Sequence, residues 1–116
     1  MGSVNDRTFG NDIEIYAGDV LRVRRGIYWH YGIVLYKGNI VHYSSYPSHW
    51  WKKKASVRVV SFQDFLKKKK IFQIYYRADS YKERYRIVHK ALNRMGEERY
   101  SLLFNNCKIF VDDCIK

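Results

Sequence analysis

One cysteine and two histidines are the residues of this chain best suited to nucleophilic chemistry. Cys107 follows Asn105 and Asn106 and opens an apolar stretch, Ile109-Phe110-Val111. Asparagine is a favoured helix N-cap, so we expect a helix that begins beside the cysteine. The free amides and the dipole of a helix N-terminus favour negative charge and therefore lower the pKa of a thiol. The alternative is an inert cysteine, since free cysteines are commonly small buried hydrophobes.

A base for this thiol is predicted on a β-hairpin. Residues 27–36 are largely aromatic and β-branched, residues 37–39 predict a turn, and residues 40–43 predict the returning strand. His30 and His42 lie on these two strands, twelve residues apart. Each histidine taken alone also fits a half-buried or surface position. A catalytic role for the pair therefore requires that both side chains lie on the same face of the sheet.

The turn of the hairpin decides that question. A two-residue turn would place the two histidines on opposite faces, because a shift of one residue reverses every side chain. A three-residue loop with Gly38 in the left-handed conformation is another common solution. It pairs Leu35 with Asn39 and Gly32 with His42, and it puts both imidazoles on one face. We favour this loop, in which we expect Gly32 to leave room for an imidazole.

The remaining patterns predict an α+β domain. Further strands are expected over residues 20–25, 57–60 and 71–76, one helical turn over 61–66, and a proline-containing loop over 46–51. Antiparallel strands followed by helices predict a small antiparallel sheet with helices on one face. We expect one domain over residues 4–116, with residues 1–3 set apart as a cloning remnant.

A capped helix is predicted to start after Ser80. Ser80 and Glu83 have the spacing of a capping box. The following residues place apolar side chains three and four apart, which predicts a buried stripe of Tyr81, Tyr85, Val88, Leu92 and Met95.

The charge of the chain indicates a polyanionic partner. The net charge is +11, while 47% hydrophobic and 17% aromatic residues exclude global disorder. The basic clusters that we assign to nucleic-acid or anionic-surface binding are Lys52, Lys53, Lys54, Lys67, Lys68, Lys69 and Lys70. The partner predicted for these clusters is RNA, an anionic membrane surface or a host protein. The structural alternative for each cluster is a solvated loop.

Cysteine usage predicts a reducing compartment, the cytoplasm. Cys107 and Cys114 are seven residues apart. In one helix this separates them by about 10 Å, which exceeds the ~7 Å limit for a disulfide, so both thiols are expected to be free. No apolar run reaches the roughly 18 residues of a membrane span, and we expect neither a membrane anchor, a cofactor nor a metal.

Together these residues resemble the H-box/NC superfamily, which includes lecithin:retinol acyltransferase. The resemblance is carried in order by Gly18-Asp19-Val20-Leu21, Tyr28-Trp29-His30-Tyr31-Gly32-Ile33, Val41-His42, Tyr100-Ser101-Leu102 and Asn106-Cys107-Lys108-Ile109-Phe110-Val111. It implies a circularly permuted papain-like fold. It also implies roles for the site residues: His30 as base, His42 as its orienting partner, Cys107 as nucleophile and, more weakly, Tyr28 at the oxyanion.

The resemblance leads to two hypotheses about function. Family enzymes pass an acyl group from a phospholipid through a cysteine thioester, and here Trp50 and Trp51 would dip into the lipid interface. Lys108 and Ile109 depart from the acidic residue and the histidine that commonly follow the cysteine in the family. The small size, the expected lack of a membrane anchor and the strong positive charge look more like the picornaviral 2A branch. That branch implies a non-proteolytic accessory protein in the host cytoplasm that binds RNA or a host protein, and we rank it first.

Overall fold

The protein is built on one six-stranded antiparallel sheet. A computed structural model describes residues 8–9, 14–49, 52–98 and 106–116. The strands follow the order β1-β6-β2-β3-β4-β5 across the sheet. They are β1 Thr8–Phe9, β2 Val20–Arg25, β3 Tyr28–Val34, β4 Ile40–His49, β5 Lys52–Val60 and β6 Phe72–Tyr76. The helices are α1 Phe62–Leu66, α2 Tyr81–Leu92 and α3 Asn106–Ile115. This α+β architecture confirms the predicted fold class.

The sheet has two buried faces. Alternate residues of β2 and β3, such as Val20 and Ile33, meet buried residues of α2 and α3, including Ile87 and Phe110. We call this side the helix face. The other residues of the same strands meet Phe65 and Leu66 of α1, and we call this side the α1 face. The two long helices therefore share one side, as predicted, while the five-residue α1 covers the other.

The β3–β4 hairpin has the predicted register. Ile33 pairs with Val41 and Val34 with Ile40. The Leu35 amide donates to the Asn39 carbonyl at 2.7 Å, and Gly38 has φ of +85°. These features confirm the three-residue loop, which left-handed glycine stabilises because it carries no Cβ.

The region between β4 and β5 differs from the prediction. The expected loop over 46–51 is wrong, because β4 continues to His49 and β5 begins at Lys52. Pro47 lies next to an irregularity in the pairing of these two strands. Proline lacks an amide donor and is tolerated at such a position. Trp50 and Trp51 lie outside the described residues.

Helix α2 buries a different face from the predicted stripe. Ser80 caps it as expected, since the Ser80 hydroxyl accepts from the Glu83 amide at 3.1 Å. The buried residues are Ile87, Val88 and Ala91. Of the predicted stripe only Val88 is buried, and Tyr81 is 92% exposed. The stripe prediction was wrong because the aromatic spacing was taken for the apolar face, whereas the aliphatic Ile87 and Ala91 pack into the core.

A buried ion-pair cluster ties the start of β2 to α2. The Asp19 carboxylate is fully buried and accepts from Arg77 Nη2 and from Arg84 Nη1, both at 2.7 Å. It also accepts from the Tyr16 amide at 2.8 Å. Gly18 has φ of +89°, and a Cβ there would meet the Arg84 backbone at 2.9 Å. The Gly18-Asp19 motif therefore has a structural role.

Among the described residues, none of the helices has the length and apolarity needed to span a bilayer.

Candidate active site

His30 and His42 form a hydrogen-bonded pair on the α1 face. His30 Nε2 lies 2.7 Å from His42 Nδ1, with the ring planes nearly perpendicular. His42 Nε2 lies 3.1 Å from the Ser44 hydroxyl. A chain of three side chains therefore runs from β3 to β4. Both histidines are 4% exposed.

Phe65 of α1 encloses the histidine pair. Its ring centroid lies 5.5 Å from that of His30 and 6.0 Å from that of His42. Gly32 makes this approach feasible, because a Cβ at Gly32 would lie 2.7 Å from Phe65 and 2.4 Å from Ile40. The expectation that Gly32 makes room for an imidazole was therefore wrong. The nearest atoms in that space belong to Phe65 and Ile40.

The sulfur of Cys107 lies against the backbone on both sides of His30. Its Sγ donates to the Trp29 carbonyl at 3.8 Å, and the Tyr31 backbone also hydrogen-bonds it. In an antiparallel strand the backbone N–H and C=O groups of successive residues point alternately to the two neighbouring strands. The odd-numbered residues of β3 point these groups towards β4, as Ile33 does in its pairing with Val41. The β3–β4 pairing is described only at Ile33 and Val34. The Cys107 sulfur therefore contacts the part of β3 that precedes the described pairing with β4. This part of the strand contains His30.

Burial opposes ionisation of the Cys107 thiol. Cys107 is the second residue of α3, as predicted, but it is only 5% exposed. Desolvation raises its pKa above the ordinary 9.0, although backbone hydrogen bonds from Tyr31, Lys108 and Cys107 itself act to lower it. The predicted thiolate-favouring effect of the helix N-terminus is therefore present but outweighed, and the prediction of a lowered pKa was wrong.

Burial also keeps both histidines neutral. Desolvation, followed by the positive charge of Arg25, lowers the pKa of His30 from 6.5 to about 2. The same causes in the same order lower the pKa of His42 to about 3. Arg25 is held beside them by a 2.7 Å hydrogen bond from its Nη2 to the Phe65 carbonyl. The resting site thus holds a neutral thiol and two neutral imidazoles.

The other predicted site residues lie apart from this buried group. Tyr28 is 41% exposed and hydrogen-bonds the Arg25 side chain. Residues 67–70 are all exposed on the connection between α1 and β6, and Lys54 is exposed on β5. The side chains of Lys52 and Lys53 lie outside the described part of the chain. The structure therefore places the Cys107 sulfur against the backbone of the strand that carries His30, and it leaves Lys54 and residues 67–70 on the surface.

Sequence reasoning missed Ser44 and Arg25. Ser44 lies two residues after His42 on β4, so strand alternation places it on the same face as His42. That spacing was a usable signal. Arg25 ends β2, and only the position of the Phe65 carbonyl brings its charge to the histidines.

The family comparison covers the part of the chain that contains this candidate site. The family model described as Lecithin retinol acyltransferase matches residues 13–116, a range that includes His30, His42 and Cys107. A search of curated proteins found no match. Because the matched range covers well over half of the 116 residues, the chain belongs to the lecithin retinol acyltransferase family.

Proposed function

We propose that this protein is a cysteine-dependent acyltransferase or phospholipase that forms a thioester on Cys107. The observation that carries the proposal is the position of the Cys107 sulfur, which contacts the β3 backbone on both sides of His30. His30 is itself held by His42. This placement against the strand that carries His30 supports the pairing of Cys107 as nucleophile with His30 as its base.

The hydrogen-bond chain defines the proton positions that this chemistry needs. For His30 Nδ1 to accept a proton, its Nε2 must carry the hydrogen and donate to His42 Nδ1. His42 Nε2 then carries a hydrogen and donates to the Ser44 hydroxyl. His42 and Ser44 thus act as positioning residues that hold the base in one tautomer.

The proposed reaction has two steps. The Cys107 sulfur attacks the ester carbonyl of a phospholipid while its proton passes to His30, and the alcohol of the lysolipid leaves with that proton. Water or an amine then attacks the thioester, gives a proton to His30, and releases the thiol. Because both groups are neutral at rest, proton transfer accompanies attack, as in general base catalysis. The Cys107 amide, assisted by Tyr28, is the proposed oxyanion donor.

Acyl-enzyme trapping tests this function. Incubation of the protein with phospholipid should add the mass of one acyl chain to a peptide that contains Cys107. Cys107→Ala should abolish the adduct and His30→Gln should reduce it at least about a hundredfold. Cys114→Ala serves as the matched control and should retain the adduct. An adduct that persists in Cys107→Ala would overturn the proposal.

A non-catalytic role is the second candidate function. It is favoured by the burial and raised pKa of Cys107 and by the exposure of residues 67–70. In this reading the protein is a picornaviral 2A-type accessory protein of the cytoplasm that binds RNA or a host protein through its lysines. It predicts RNA affinity that falls with salt by a logarithmic slope of up to about 5 for seven lysines. That affinity should be indifferent to Cys107→Ala.

A further inference from the structure

We propose that residues 67–71, with the groove beside them, form a docking surface for a bilayer that contains anionic phospholipid. The inference rests on the proposed function, because it names the setting of the acyl donor. The residues that carry it do not include the histidine pair or Cys107, although the charge of Lys67 helps to lower the pKa of both histidines.

The first observation is a concentration of exposed cations on the connection between α1 and β6. Residues 67–70 are four exposed lysines, and within the described ranges no ion pair is found for any of them. By contrast, Lys108 pairs with Asp112 at 2.7 Å. Lys67 and Lys68 have left-handed backbone angles, with φ of 48° and 69°. Such angles are unfavourable for residues other than glycine.

The second observation is apolar surface directly beside these lysines. Ile71 follows them and is 57% exposed. A groove of about 230 Å³ next to it is lined by Arg24, Trp29, Lys69, Lys70, Ile71 and Phe72. A row of cations beside an exposed aliphatic side chain matches the boundary between anionic headgroups and acyl chains.

The groove lies close to the candidate nucleophile. Trp29 lines the groove, and its carbonyl accepts the hydrogen bond from Cys107. Trp29 also packs against the core of the helix face, to which Cys107 belongs. A bilayer seated on residues 67–71 would therefore lie beside Trp29, the residue whose carbonyl accepts the Cys107 thiol.

The same groove is poorly suited to nucleic-acid bases. Single-stranded nucleic acid binds by stacking its bases on free aromatic rings. The Trp29 ring is already covered by guanidinium groups, with Arg22 Cζ 4.4 Å and Arg24 Cζ 5.1 Å from its centroid. The most exposed apolar side chain beside the lysines is the aliphatic Ile71. These contacts favour lipid over RNA as the occupant.

Vesicle sedimentation with the Cys107→Ser chain tests the surface without any chemistry. The probes are vesicles of phosphatidylcholine alone and of phosphatidylcholine with phosphatidylserine, at physiological salt. We expect binding to the anionic vesicles only. Lys69→Gln with Lys70→Gln should weaken it about thirtyfold, from the contribution of each lysine near an anionic surface. Ile71→Ser should weaken it about fivefold through lost apolar burial.

A second double variant, which removes the same number of positive charges elsewhere on the surface, provides the control. Lys37→Gln with Lys82→Gln removes two exposed lysines from the β3–β4 turn and from α2, and it should change vesicle binding less than about threefold. Equal losses from both double variants would overturn the proposal, because they would show attraction by net charge alone. Equal binding to both vesicle types, or binding to single-stranded RNA without binding to vesicles, would also overturn it. Vesicle binding without an acyl adduct in the unaltered chain would instead refute the proposed function and leave the docking surface standing.

Discussion

His30 and His42 form the most buried polar pair of the candidate site, and their protonation is set by what surrounds them. Phe65 packs on both rings and Arg25 adds a positive charge nearby. Neutral imidazoles have a free lone pair for a proton, but the lowered pKa makes each of them a weak base in the resting site. They do not suit a pre-formed ion pair with a thiolate, which would need a histidine pKa above that of the thiol.

Lowering the pH from 7 to 5 should therefore destabilise the fold. Below pH 6.5 the unfolded chain protonates both histidines, whereas the folded chain does so only near pH 3 and pH 2. The free energy of unfolding is therefore highest above pH 6.5. It decreases as the pH falls, by up to about 1.4 kcal/mol per pH unit for each histidine.

Urea unfolding at several pH values measures this loss. His42→Gln should roughly halve the pH dependence. A free energy of unfolding that is constant between pH 7 and pH 5 would contradict the lowered pKa values of the pair.

Alkylation of Cys107 should report its raised pKa. The thiolate is the reactive form, so the rate with iodoacetamide should rise about tenfold per pH unit between pH 6 and pH 9. Mass spectrometry of the peptide that contains Cys107 gives the rate, and Cys107→Ser gives the background. A rate that is already at a plateau at neutral pH would indicate a thiolate–imidazolium pair instead.

At the scale of elements, the contact between β3 and α1 depends on Gly32. An added Cβ would lie 2.4 Å from Ile40 and 2.7 Å from Phe65. Gly32→Ala should therefore cost about 1–3 kcal/mol of stability through overpacking, and it should lower acyl-adduct formation because Phe65 supports the histidines. Denaturant unfolding and adduct formation measure the two effects.

Gly26 offers a matched control for this substitution. It lies in the β2–β3 turn with φ of +61° and open space around it. Asparagine tolerates left-handed angles, so Gly26→Asn should cost less than about 1 kcal/mol. If Gly32→Ala proved as mild as Gly26→Asn, the close packing of Phe65 over β3 would be refuted.

At the scale of the whole molecule, Asp19 joins the start of the sheet to the segment that carries α2. Arg77 and Arg84 both bind its buried carboxylate. Asp19→Ala should cost about 3 kcal/mol, because it leaves two cations without their partner. Denaturant unfolding measures the loss, and Asp64→Ala at an exposed position of α1 should cost no more than about 1 kcal/mol. Equal costs for the two variants would contradict the structural role of the Asp19 cluster.

Sequence patterns predicted the parts of this fold that depend on neighbouring residues. The β2 and β6 strands, the Ser80 cap and the three-residue hairpin loop were predicted because alternation, capping and turn chemistry act over a few residues. The same local reasoning misplaced the buried face of α2, where Tyr81 and Tyr85 are exposed and Ala91 is buried. It also predicted a loop at Pro47. The irregular pairing with β5 that accommodates Pro47 involves a second strand, so neighbouring residues alone do not reveal it.

The sequence by itself determined which residues could form the site, since His30 and His42 share a face as soon as the hairpin register is known. Only the tertiary structure decided how Cys107 joins them and in which protonation state. Cys107 and Trp29 are 78 residues apart in the chain, and the desolvation of the histidines comes from Phe65 and from the packed sheet. Burial is a property of the whole assembly of elements, so it reversed the thiolate that the local helix N-terminus had predicted.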